Sequence, residues 1–339
     1  MNMRGFILFC LLCLSGAAAA APGLDVLDTV FLFPLDSSNQ VFPNVPLKDA
    51  IHEGLITRPQ LDSVLLAAQS FGIRPAPGST FNTLPNWKVV AFRYDPCSPD
   101  TPGGGDCMQE LRVVVQPFTV AGPVDTSMHI TYGLGRGVPR ADDPVLQDLL
   151  RQKQMSYDRT KVLTAGFPLG THPVLHQAML NQGKGYALPI LDFLRKYAVP
   201  GRLKKITMMG LKNASAQSWT FFGGDVVNGQ WQLRSIANSP DSSGQMIDFD
   251  LNSSDRLFFP VPENKYLSTY GFFHRETLGE GEIDIFRQNL HVIENPRQSN
   301  RNTVDCLSCH SATSIKMDIN QGIPKFVAGK TFAMPVRTT

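Results

Sequence analysis

The run Cys306-Leu307-Ser308-Cys309-His310 brings two thiols and an imidazole into five residues. Two cysteines three apart can add to the two vinyl groups of one porphyrin, and the adjoining histidine then supplies a nitrogen to its iron. C-x-x-C-H is thus the signature of covalently attached haem, and its spacing is specific. Three plainer readings compete with it. A thioredoxin-like redox pair belongs near the start of a βαβ unit, whereas this pair follows a polar stretch about thirty residues from the end. A zinc site needs further Cys or His ligands at short spacing, and none follows His310. A disulfide between Cys306 and Cys309 is sterically poor.

On these five residues the chain resembles the c-type cytochromes; no other stretch resembles a family. The resemblance implies one covalently attached haem c, held by Cys306 and Cys309, with His310 as proximal iron ligand. It also implies dependence on the cytochrome c maturation machinery and attachment outside the cytoplasmic membrane. It does not carry the fold over. The motif lies early in small cytochromes, and only 29 residues follow it here.

The distal iron ligand is open. Met334 is the favoured candidate: it precedes Pro335 and lies 24 residues beyond His310, enough to loop over a porphyrin edge. Thioether ligation there raises the potential. His291 or His274 would give a bis-histidine site of lower potential, and an open position is the third case. Six Lys or Arg against two Asp after residue 294 suit haem propionates, an acidic redox partner or plain solvation.

The remaining elements must position this motif. Residues 1–21 read as a signal peptide: Arg4 lies in a charged start, Phe6 to Leu14 form a short apolar run, and five alanines offer a cleavage site. The expected location is periplasmic or secreted. No later run reaches eighteen apolar residues, so no membrane span is expected. An oxidising compartment permits a Cys97–Cys107 disulfide, which leaves no thiol over once haem holds Cys306 and Cys309.

The mature chain of about 320 residues has room for about two domains. A net charge of +2 gives no reason to expect nucleic acid as a partner. With 25 prolines and 28 glycines the chain is rich in turns. The fold expected is α+β: a β-rich body over 22–294, with a possible subdomain split near 200. A linker and short C-terminal haem segment over 295–339 then pack back on the body, because an exposed haem plane would be a large apolar patch.

Within the body, residues 24–46 read as extended or irregular. Leu47 to Gln69 reads as two helices parted at Pro59, which opens the second. Trp87–Tyr94 and Glu110–Phe118 read as a hairpin with the two cysteines on opposite legs. Met128–Tyr132 reads as a strand, and Gly133–Gly137 as a turn that fails both nucleotide-loop templates. Helices are expected over Asp143–Tyr157, Pro173–Asn181 and Leu188–Tyr197. His172 and His176, four apart, form only a weak metal pattern.

Strands are expected beyond Arg202. Trp219 to Val227 and Gln230 to Ile236 flank Asn228-Gly229, with Trp231, Leu233 and Ile236 on one apolar face. Ile247–Leu251, Leu257–Val261 and Glu282–Phe286 also read as strands. The function expected is one-electron transfer to an unidentified redox partner protein, by a carrier rather than an enzyme. The alternatives are a haem-dependent oxidoreductase or sensor with an open iron position, and an exported interaction protein with a secondary CxxCH tail.

Overall fold

The structure is a computed structural model. It describes residues 29–32, 54–73, 87–99, 107–119, 122–123, 126–160, 192–211, 218–239, 241–248, 263–264, 268–269, 280–294, 298–300, 302–310 and 312. Among them the strands are β1 (Thr29–Leu32), β2 (Trp87–Pro99), β3 (Cys107–Thr119), β4 (Gly122–Pro123), β5 (Thr126–Arg136), β6 (Leu203–Leu211), β7 (Ser218–Val227), β8 (Gln230–Leu233) and β9 (Gly244–Asp248). The helices are α1 (Arg58–Ser70), α2 (Pro144–Thr160) and α3 (Glu280–Glu294), with shorter helical runs at 192–197 and 306–310.

One antiparallel sheet organises these elements, in the order β1-β2-β3-β5-β6-β7-β8. β4 extends from β3, and β9 pairs with β7 along the same edge as β8. β5 and β6 lie on either side of residue 200 and pair from Thr126↔Gly210 to Tyr132↔Leu203, so the sheet is continuous across that point. The architecture is β-rich α+β, as expected.

Side-chain alternation gives the sheet two faces. Phe92, Tyr94, Leu111, Val113, Met128, Ile130, Tyr132, Ile206, Met208 and Phe222 are buried on the first, and the registers place them side by side. That face forms the main core with Leu61, Val64, Leu65 and Ala68 of α1 and with Phe193, Leu194 and Tyr197. α1 begins as its sequence suggests. Pro59 sits in the first turn, and Thr57 and Gln60 form a reciprocal capping box. Tyr132 donates its hydroxyl to the Leu55 carbonyl at 2.7 Å, which ties the approach to α1 onto the sheet. Asp143 caps α2, with Oδ1 accepting from the Val145 and Leu146 amides.

Several elements differ from the sequence reading. Glu282–Phe286 is helical, inside α3. Five alternating residues suggest a strand, but Phe286, Leu290 and Ile293 recur at helical spacing and are the residues buried, while Ile285 is exposed. Gly133 to Arg136 continue β5 rather than turning. Gly133 pairs with Glu110 and Gly135 with Gln109, and the positive φ appears only at Gly137. The sheet accepts Gly133 because the Lys204 stem and Met108 Sδ pass within 3.0–3.2 Å of where its Cβ would stand. Leu233 is exposed, not on a shared apolar face with buried Trp231 and Ile236, because β8 ends at Leu233.

Other expectations hold. β7 and β8 pair across Asn228 and Gly229, which take the positive φ values of 51° and 78° that such a turn needs. Within the segment 24–46, the described residues Thr29–Leu32 are extended and pair with β2. Residues 1–21, Pro173–Asn181 with His172 and His176, and Leu257–Val261 lie outside the described residues.

Candidate functional site

The pentapeptide lies on the second face of the sheet. Its helix starts at Cys306 and is capped by Asp305, whose Oδ1 accepts from the Ser308 amide at 2.9 Å. Gln245 of β9 completes the cap. Its Oε1 accepts from the Leu307 amide at 2.9 Å, and its Nε2 donates to Asp305 Oδ1 at 2.9 Å. Two of the unpaired amides of a helix start are thus met, one by a neighbour and one by a strand. Ser308 Oγ accepts from the Thr269 amide at 2.8 Å.

Apolar contact reinforces this docking. Leu307 is buried against Phe221, in a cluster joined by Met209, Trp219 and Cys306. This cluster is separate from the main core and lies on the opposite side of the sheet. The 298–304 turn fastens the approach. Ser299 and Asn300 are buried, and Asn300 Nδ2 donates to Ser98 Oγ at 2.8 Å and to the Pro99 carbonyl. Ser98 and Pro99 adjoin the Cys97–Cys107 disulfide, which is formed as expected.

His310 projects toward β5 and β7. Its ring centroid is 5.6 Å from His129, tilted 54°, and 5.4 Å from Phe221, tilted 40°. His129, Thr207, Met208, Met209, Phe221, Phe222, Cys306 and His310 border a small open cleft of about 20 Å³. Cys306 is half-buried, while Cys309 and His310 keep exposed surface. Protein nevertheless crowds both residues on their other sides. Burial, aided by the Arg112 charge, lowers His310 to a pKa of about 4. Burial, then the neighbouring His310 and Arg112, pushes His129 well below the usual imidazole value. Both rings are therefore neutral at neutral pH, with a lone pair free to ligate.

Charged residues continue this face beyond the cleft. Glu110 lies 3.6 Å from Lys205 and 3.9 Å from Arg112, and Arg93 lies 4.0 Å from Asp95. Burial raises the Cys309 pKa, and Asp305 adds to this against the opposing Arg112 and Arg93.

Zinc needs its four ligands within about 2.0–2.3 Å of one point. Among the described residues no three His, Cys, Asp or Glu side chains converge in that way. A porphyrin asks for two separated thiols at its edge and an imidazole on its axis. Cys306, Cys309 and His310 offer that set, and Met209 and Phe221 supply an apolar wall. Sites that enclose a drug-sized ligand hold about 300–1,000 Å³, so this cleft, at about 20 Å³, would border only an edge of a porphyrin.

Met334 and His274 lie outside the described residues. His291 sits in the last turn of α3 with its side chain exposed. The histidine beside His310 is instead His129, which the sequence reading did not single out. Its only signal is alternation: in Met128-His129-Ile130 the flanking residues face the main core, so His129 faces away. Among the described residues no helix is long and apolar enough to cross a membrane. Comparisons with protein-family models, with curated proteins and with solved structures return no match.

Proposed function

We propose that this chain is an exported monohaem c-type cytochrome-like protein that transfers single electrons. The observation that carries the reading is Cys306-Leu307-Ser308-Cys309-His310 at the start of a capped helix, with Cys306 and His310 opening onto a cleft whose far wall holds a second imidazole. Bound haem would supply the one-electron iron couple. The protein's own part is to hold and orient it. Cys306 and Cys309 anchor the macrocycle edge, and the Asp305–Gln245 cap fixes the helix that carries them. His310 contributes its neutral ring, and Met209 and Phe221 keep water from one side. The leader-like residues 1–21 support export to a compartment where attachment takes place.

The test is expression of the full chain, leader included, in a bacterial host with active c-type maturation. Haem staining that survives a denaturing gel, with an intact mass one haem above the processed polypeptide, is the expected result. Cys306→Ser with Cys309→Ser removes the stain. A mass equal to the polypeptide alone rejects the reading.

A further inference from the structure

We infer that His129, on the central strand β5, is the second axial ligand to the iron, so that the haem site is bis-histidine and joins the terminal motif to the sheet. The inference rests on the haem reading above and names a ligand which that reading leaves open.

Distance supports it first. Two metal–imidazole bonds of about 2 Å each, extended to the ring centres, set the centroids on the order of 6 Å apart. His129 and His310 already stand 5.6 Å apart and line the same cleft. Position supports it second. His129 pairs with Val114 of β3 on one side and Thr207 of β6 on the other, so its backbone is held by ladders at both edges. A ligand on such a strand is pre-positioned more tightly than one on a loop.

Competition within the cleft supports it third. Met209 is the other soft donor on this face, but it packs with Phe221, Leu307, Trp219 and Cys306. His291 has its side chain in solvent. Among the described histidines, only His129 has its ring against His310.

The experiment uses the matured, haem-loaded protein. Electron paramagnetic resonance and the near-infrared charge-transfer band of the unmutated ferric protein are expected to show a low-spin, bis-imidazole iron, and the reduced form is expected not to bind carbon monoxide. His129→Ala should convert the iron to a high-spin form that binds carbon monoxide stoichiometrically. Added imidazole should restore the low-spin spectrum, which no purely structural role for His129 would produce.

His129→Met, which preserves bulk, should replace the spectrum by a thioether one and raise the midpoint potential. It decides the matter if His129→Ala does not fold. A thioether signature in the unmutated protein, from Met209 or Met334, overturns the inference, as does a His129→Ala spectrum identical to wild type. In both cases the haem reading stands. Absence of haem from the unmutated protein overturns both together.

Discussion

Asp305 stands one residue ahead of the first thiol and uses a single oxygen twice, accepting from the Ser308 amide and from Gln245 Nε2. Its other oxygen, Oδ2, is buried with no hydrogen-bond partner among the described residues. Burial accordingly raises its pKa, and the bonds from Ser308 and Gln245 only partly oppose that. Asp305→Ala should cost about 1 kcal/mol for the lost cap. It should cost a further ~1–3 kcal/mol for the stranded amide of Gln245. Asp305→Asn keeps the accepting oxygen and removes the buried charge. The sign of the pH effect follows from the raised value. As pH rises above about 3.9 the unfolded chain ionises first, so Asp305 withdraws stability until pH passes its folded pKa. Asp305→Asn should therefore gain on wild type as pH rises, read from urea midpoints at about pH 3.5 and pH 7. A gain that shrinks with rising pH would refute this account. At this scale the pentapeptide was legible because all of its residues lie within five positions of the sequence. Gln245 and His129 were not, because pairing between strands far apart in sequence brings them to the motif.

The β7–β8 hairpin shows what elements concede to one another. Asn228-Gly229 announced its turn in sequence, since few residues accept a positive φ there. The closeness of its legs was not announced. A Cβ on Gly224 would stand 2.5 Å from Trp231 Cε2 and closer still to the Gln232 carbonyl oxygen, so the glycine lets Trp231 lie flat on β7. Trp231 Nε1 then reaches the Ile206 carbonyl at 3.2 Å. Gly224→Ala should destabilise by about 1–3 kcal/mol, as other overpacking changes do. Its accompanying readout is a shifted Trp231 fluorescence, to be set beside Gly229→Ala, where no atom lies within 4 Å but φ is +78°. If Gly224→Ala left both stability and emission unchanged, the close approach would not matter to the hairpin. Elements with a strong local signal, such as the Thr57–Gln60 box and the Asp143 cap, were legible for the same reason as the turn. α3 was not, because five alternating residues imitate a strand until the Phe286-Leu290-Ile293 spacing is included.

Across the whole molecule, the chain closes on itself at Asn300. This side chain bonds Ser98 Oγ and the Pro99 carbonyl at the end of β2, beside a disulfide that ties β2 to β3. Composition and spacing marked 295–302 as polar and turn-forming. That Ser299 and Asn300 are buried could not be read there, because polar residues enter a core only when distant partners satisfy them. The disulfide itself should contribute ~2–3 kcal/mol by restricting the unfolded chain. Its second effect is to hold Ser98 and Pro99 where Asn300 finds them. The two should therefore be coupled. Asn300→Ala alone should cost ~1–3 kcal/mol and raise amide exchange over 298–310 before the main core opens. In a background with Cys97→Ser and Cys107→Ser the same change should cost less, because the bonded carbonyl is no longer fixed. A double-mutant cycle should show a coupling of at least about 0.5 kcal/mol. Strict additivity would mean that disulfide and clasp act independently. The motif helix would then be held on the sheet independently of the clasp, by Gln245 and by the packing of Leu307 on Phe221.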